Sequence, residues 1–271
     1  MPFLDVGDAD IHYETFGKGT PFVFCTATAT HSEVWKRFQV PEFSRDHTVI
    51  LHDQRGTGQS KLRSKDVSTK RLADDISALL DHLGLEKAIV LGHSIGGRVA
   101  QVLTLNHSDK VGKLILASTG ASFPSRGIPL GMCLELVEKG YEPYVAEHSR
   151  KVGFTPEFIA ANREIVEEFL KVRLSNPPPL EIFLRFVIAR QETDTSGRLK
   201  DIRVPTLVMV GEAEGKADAS GISHMTSSEE LARGIPGAKF VTLPGQGHYY
   251  PFVVPEMTHT AIRAFLAETS A

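Results

Sequence analysis

The run "KAIVLGHSIGG", Lys87 to Gly97, constrains this 271-residue chain more than any other. An apolar stretch leads into Gly92-His93-Ser94-Ile95-Gly96, and a helical pattern follows to about Asn106. Strand, tight turn and helix must then succeed one another with no spacer. The glycines leave room for such a turn, having no side chain to collide with the neighbouring strand or helix. The turn lifts the Ser94 hydroxyl above the strand end. It also leaves the Ile95 N–H unpaired at a helix N-terminus, where it can donate to a developing oxyanion. Ser-centred G-x-S-x-G between strand and helix marks Ser94 as a candidate nucleophile.

The rest of the chain repeats that alternation. "FLDVG" and "DIHYETFG" read as an opening hairpin. Further strands are expected at 21–26, 47–53, 87–92, 112–118, 204–211 and 238–243. Leu72, Ile76, Leu79, Leu80 and Leu83 recur at helical spacing within 68–85, and a closing helix is expected at about 255–268. Apolar strands separated by helices imply an α/β fold. Its sheet is mostly parallel, of the eight-stranded type, with helices on both faces. Residues 122–197 break the pattern. They hold no convincing strand and read as helices at 130–139, 141–151, 156–174 and 180–191, the last two separated by Pro177-Pro178-Pro179. The expected organisation is a core of 1–121 and 198–271 with a helical cap of 122–197.

Composition excludes several function classes. With 30 basic and 33 acidic residues the net charge is -3, which gives no nucleic-acid footprint. Two cysteines, Cys25 and Cys133, make no disulfide framework, and a reducing, cytoplasmic setting is expected. No signal peptide or membrane span is expected.

A serine hydroxyl needs a base. Among 11 histidines, His248 in "LPGQGHYYP" follows the last expected strand, at the same sheet edge as Ser94. His259 falls in the closing helix, and the His93 side chain is expected to point away from the hydroxyl. The group that orients the imidazole should follow the strand "TLVMV". Glu212, Glu214 and Asp218 compete there. Glu214 is favoured because it clears the strand end, and Asp218 remains the alternative acid on what reads as a long loop.

"GHSIGG" at 92–97, "DQRGTGQS" at 53–60, "GQGH" at 245–248 and the order Ser94, acid, His248 together resemble the α/β-hydrolase superfamily over nearly the whole chain. The resemblance implies a nucleophile elbow, a helical cap and no metal or organic cofactor. Asp53, Arg55, Gly56 and Gly58 then read as parts of a structural turn. The family's acid is normally Asp, so Glu214 is a less common choice.

A second departure lies in "FCTATATHS". The family's loop after the third strand usually reads His-Gly, and its backbone N–H groups supply the second half of the oxyanion hole. Here Thr26-Ala27-Thr28 stand at those positions. The donor is main-chain N–H, which every residue but proline carries, so the donor survives. Were Ala27 forced into a left-handed conformation, the cost would be about 1–2 kcal/mol. The hole is expected to pair the N–H groups of Ile95 and Thr28. The threonine hydroxyls are expected to satisfy the loop's own backbone.

The resulting expectation is a cofactor-free serine hydrolase of a small ester or lactone, acting through an acyl-enzyme. Amide or carbon–carbon hydrolysis, a low-turnover binding module, and cofactor-free oxygenation or perhydrolysis stay open on the same scaffold. Thr26, Ala27, Tyr249 and Arg126 are candidate substrate-binding residues. An inward cap arginine, from Arg126, Arg150, Arg185 or Arg190, would suit a substrate carboxylate.

Overall fold

The computed structural model describes residues 2–123, 127–216 and 223–268. The chain opens with the expected hairpin, β1 (Phe3–Asp5) and β2 (Ala9–Phe16), paired antiparallel. It continues through β3 (Thr20–Cys25), α1 (Gln39–Phe43), β4 (His47–His52) and β5 (Lys61–Leu62). Then come α2 (Thr69–His82), β6 (Ala88–His93), α3 (Ile95–Asn106) and β7 (Val111–Ala117). Next are α4 (Leu130–Lys139), α5 (Tyr141–Gly153), α6 (Pro156–Ala161), α7 (Arg163–Leu174) and α8 (Leu180–Glu192). The chain closes with β8 (Thr206–Gly211), α9 (His224–Gly234), β9 (Lys239–Leu243), α10 (Tyr250–Val253) and α11 (Pro255–Glu268).

The strands form one sheet in the order β1-β2-β4-β3-β6-β7-β8-β9, with β5 added on β2. From β4 onward every neighbouring pair is parallel. The sheet therefore has nine strands. The expected eight omitted β5, whose "KL" is too short to show an alternating pattern. Alternation sorts the apolar side chains to two faces. Val23, Ile50, Val90, Leu114 and Val208 pack with Leu72, Ile76 and Leu79 of α2, Val99 and Leu103 of α3, and Leu231 of α9. Phe22, Phe24, Val49, Leu91 and Ile115 pack with Val40 and Phe43 of α1 and Ile262 and Phe265 of α11. Each such side chain, fully buried, contributes about 1.5–3 kcal/mol, which sets the register of every strand.

Local signals end the helices. Ser68 caps α2 by accepting from the Arg71 N–H. Thr155 caps α6, with Pro156 in its first turn. The single helix expected at 156–174 is instead two, broken at Asn162 (φ -132°, ψ 39°). There the Asn162 N–H and its side-chain amide both donate to the Phe158 carbonyl, at 2.9 and 3.1 Å, and close the last turn of α6. α9 replaces part of the expected long loop after Glu214. Its sequence "HMTSSEELARG" buries only Ser228 and Leu231, so little periodicity marks it.

α4 to α8 lie between two paired neighbours, β7 and β8. The segment leaves and returns at one neck. There the Thr195 N–H donates to the Ala121 carbonyl at 3.0 Å, and the Thr195 hydroxyl donates to Gln101 Oε1 at 2.6 Å. Tyr144, Val145, Phe183 and Phe186 join the α2/α3 core. Val166, Phe169 and Leu170 join the other core beside Tyr249 and Phe252.

The 53–60 turn is built as a structural unit. Asp53 accepts from the Ser32 N–H and hydroxyl, both at 2.8 Å, and from the Gln59 N–H at 2.9 Å. Gly58 holds φ +54°, and a Cβ there would lie 2.3 Å from the Asp53 carboxylate. Arg55, fully buried, closes on Asp75 and Asp8. The turn also touches α7's end, where Asn176 donates to the Gly58 carbonyl.

Candidate active site

Ser94 adopts φ 57° and ψ -118°, outside the ordinary basins for a residue with a side chain. Its surroundings enforce the strain. A Cβ on Gly92 would lie 2.2 Å from the Gly96 carbonyl oxygen, and one on Gly96 would lie 2.4 Å from that of Cys25. Only glycine at both positions lets strand, turn and helix meet. The Ser94 N–H donates to Ala117 O at 3.0 Å, and its carbonyl accepts from the Thr119 hydroxyl at 2.6 Å. The Ser94 side chain is half-buried at the helix start.

Glu214 and His248 are brought together. His248 Nδ1 and Glu214 Oε2 are 2.6 Å apart, each residue only 6% exposed. The other oxygen, Oε1, accepts from the Ser118 hydroxyl at 2.5 Å and the Gly211 N–H at 3.0 Å. Burial pushes the Glu214 carboxyl up. The charge and hydrogen bond of His248, with His224 and Ser118, outweigh burial and hold it below the ordinary value. Glu214 is thus kept as an anion fixed in place. Glu212 turns outward, and its carboxylate accepts from the Gly245 N–H. Asp218 lies outside the described residues.

His93 points away from the turn's apex, as expected. Its Nε2 lies 2.8 Å from the His248 carbonyl, and its ring centroid is 4.6 Å from that of His248. Burial, reinforced by His248, holds its pKa well below the ordinary value. A neutral imidazole with Nε2–H donating fits that contact. His93 thereby ties the residue beside Ser94 to the backbone that carries His248. His259 packs edge-on against Phe43 in α11.

The loop after β3 is braced by side chains. Thr26 Oγ1 donates to the Thr30 carbonyl at 2.8 Å, and Thr30 Oγ1 donates to that of Thr28 at 3.2 Å. From the 53–60 turn, Gln54 Nε2 donates to Thr26 O at 2.9 Å and lies 2.6 Å from Thr26 Oγ1. The threonines at 26 and 30 thus serve the loop's own backbone. The left-handed residue is Ala29, with φ 48°, rather than Ala27. One residue, Thr28, separates that strain from Ala27, and the turn closes through the Thr30 N–H donating to the Ala27 carbonyl. Thr28 is half-buried, and no acceptor for its N–H is found among the described residues. The Ile95 N–H opens α3.

Tyr249 packs under the inserted helices, its N–H donating to Gly153 O at 3.1 Å. A Cβ on Gly153 would strike the Tyr249 ring. Arg126 lies outside the described residues. Half-buried Arg150 and Arg185 pair with the exposed Glu167 and Glu181. Arg190 lies over the Phe123 ring.

Two neighbours escaped the sequence reading. His224, at the start of α9, sets its ring centroid 4.5 Å from that of His248, tilted by 33°, and no motif announces it. Arg173 of α7 reaches Thr30 and lies over the Tyr249 ring. Donor atoms of Glu214, His224 and His248 lie within 4.8 Å of one another. A metal ion there would have to displace the 2.6 Å Glu214–His248 hydrogen bond. Burial pushes the Cys25 thiol up to about 12, so it stays protonated beside the loop. Neither cysteine forms a disulfide.

A parallel sheet with a strained serine turn after a central strand, and a buried acid–histidine pair at the ends of the last strands, defines a class of α/β enzyme. Residues 20–253 match the sequence model of the alpha/beta hydrolase fold, and the chain belongs to that family as a hydrolase. It is 32% identical over 273 residues to a protein of Azorhizobium caulinodans named "Putative carbamate hydrolase RutD", covering 99% of both chains. It is 30% identical to 3-oxoadipate enol-lactonase 2 of Acinetobacter baylyi, over 82% of this chain and 85% of the other. Among solved structures it resembles Est816, described as an N-acyl homoserine lactone degrading enzyme. That similarity has TM-score 0.82 and 26% identity, over 97% of this chain and 100% of the other. Among the described residues no helix is long and apolar enough to cross a membrane.

Proposed function

We propose that this hydrolase cleaves small carboxylic esters or lactones through an acyl-enzyme on Ser94, with His248 as base and Glu214 as its orienting acid. The buried 2.6 Å pair of His248 Nδ1 with Glu214 carries the reading. That hydrogen bond fixes the tautomer, so the opposite ring nitrogen is the one left to accept the Ser94 proton. Ser94 Oγ attacks the acyl carbon as the proton passes to His248. The Ile95 and Thr28 N–H groups hold the oxyanion, a contact worth about 2.7–4 kcal/mol per donor. The protonated His248 then gives its proton to the leaving alkoxide. Water, deprotonated by His248, cleaves the acyl-enzyme and returns the proton to Ser94.

In this reading residues 122–197 cap a core of 1–121 and 198–271 and enclose a small-molecule substrate. The contacts of Arg173 and Phe169 with Thr30 and Tyr249 support the cap. Thr26 and Ala27 shape the acyl side of the site. A second reading, carbamate hydrolysis on the same residues, is favoured by the relative named for that activity, at 32% identity over nearly the whole chain. It uses the same attack, with an amine or ammonia as leaving group.

Labelling with a small fluorophosphonate, followed by peptide mass spectrometry on wild type and Ser94→Ala, tests the nucleophile. An adduct on Ser94 alone is expected. Folded wild-type protein that takes no label, or takes it elsewhere, would contradict the proposal.

A further inference from the structure

α7 places Arg173 between the two loops assigned above to the oxyanion and the base. The residue is 9% exposed. One Nη donates to the Thr30 hydroxyl, two residues from Thr28. The guanidinium carbon lies 5.3 Å from the ring centroid of Tyr249, the residue after His248. The buried Nε meets no acceptor. Among the described residues no carboxylate pairs with Arg173.

Arg55 is a buried guanidinium that serves the fold. It is held by two carboxylates, Asp75 at 2.6 Å and Asp8 at 3.0 Å. Arg173 has instead one hydroxyl and one aromatic face. A guanidinium withdrawn from water with no counter-charge is costly, and the cost is relieved only when an anion arrives. The planar fork suits two parallel N–H···O bonds to a carboxylate. Two histidines feel its charge, His31 and His93, and burial is the chief cause that lowers the pKa of each, so the guanidinium supplies the positive charge and fits a monoanion.

We propose that Arg173 is a substrate-binding residue that receives a carboxylate. The substrate then carries a second, anionic carboxyl group besides the acyl group attacked by Ser94. This rests on the reading of Ser94 as the nucleophile and narrows its substrates to acidic ones.

The test compares the para-nitrophenyl monoester of glutaric acid with the para-nitrophenyl ester of pentanoic acid, alike in chain length but not in charge. Wild type should favour the glutarate monoester in kcat/KM by about tenfold or more. Arg173→Gln should cut that value by about 30-fold, mainly through KM, and change the pentanoate ester by less than about threefold. Arg173→Lys, which keeps the charge but not the fork, should fall between. Equal losses on both esters, or a wild-type preference for pentanoate, would overturn the proposal. If neither ester is turned over, calorimetric titration of Ser94→Ala with glutarate decides. Binding that Arg173→Gln abolishes in the same background supports the subsite, and no binding refutes it. Fluorophosphonate labelling of Ser94 in Arg173→Gln shows separately whether the nucleophile reading stands.

Discussion

The two turns that meet at Ser94 solve one problem by opposite means. The 92–97 turn is held by exclusion, since side chains at Gly92 or Gly96 would strike backbone 2.2–2.4 Å away. The 26–30 loop has no glycine and is held by attraction. Thr26 and Thr30 bond its carbonyls, and Gln54 reaches in from a separate turn. Steric closure is local and leaves a sequence pattern. A hydrogen-bonded brace borrows from residues far along the chain and leaves none. The loop can therefore abandon His-Gly and still hold its backbone in place.

The largest expected effect removes what both turns serve. Ser94→Ala should lower kcat by about 10⁴-fold or more with an unchanged melting temperature. Rates near wild type on any substrate of the enzyme would remove Ser94 from the chemistry. Gly96→Ala comes next. Its Cβ would press on the Cys25 and Thr26 carbonyls at 2.4 and 2.6 Å, forcing the two turns apart. A loss of about 100-fold in kcat with a lowered melting temperature is expected, and normal kinetics would show the turns to be independent. Gln54→Leu attacks the loop alone. It leaves the Thr26 carbonyl without its donor and should cost about 1–3 kcal/mol in urea unfolding. A kcat loss of about tenfold should accompany it, with fluorophosphonate still reacting at Ser94. An unaffected kcat would mean that the brace does not set the donor.

Two smaller effects sharpen the contrast. Burial lowers the His52 pKa from 6.5 to about 4 and that of His93, in the serine turn, well below its ordinary value. Both are neutral when folded, while the unfolded chain takes up protons below about pH 6.5. Stability is full above that value and falls as pH drops toward the folded values. Urea midpoints should therefore decline from about pH 7 to pH 5, and a flat profile would contradict it. Ala29→Gly relieves the one left-handed residue of the loop, at φ 48°. Strain relief and added chain entropy oppose each other, so a change under about 1 kcal/mol is expected.

Much of this was legible in the sequence. Apolar runs and helical spacing gave α2, α3, α4 and α11 almost to the residue, because each is bounded by a capping residue, a glycine or, for α11, a proline at its first position. Ser94, Glu214 and His248 could be named as candidates because the motif, the strand ends and the chain order are local signals, and the structure sets Glu214 2.6 Å from His248. The break at Asn162, the short β5 and the polar α9 were not, since a side-chain hydrogen bond at a helix end and edge pairing leave no period. Arg173 stayed hidden among the other arginines of the inserted helices, where Arg150 and Arg185 pair with glutamates at the surface. Only packing distinguishes a guanidinium turned inward from one in water.

The neck between Ala121 and Thr195 has a consequence for how such a chain diversifies. One backbone hydrogen bond and the Thr195–Gln101 contact close the opening between adjacent strands β7 and β8. Ser118 and Glu214 on either side keep their 2.5 Å contact, so an exchange of the helices between those residues need preserve only the contacts they make with the core, such as Gly153 with Tyr249 and Arg173 with Thr30. New substrates could then be acquired by transplanting helices onto the same sheet, as a tool head is changed on a fixed handle.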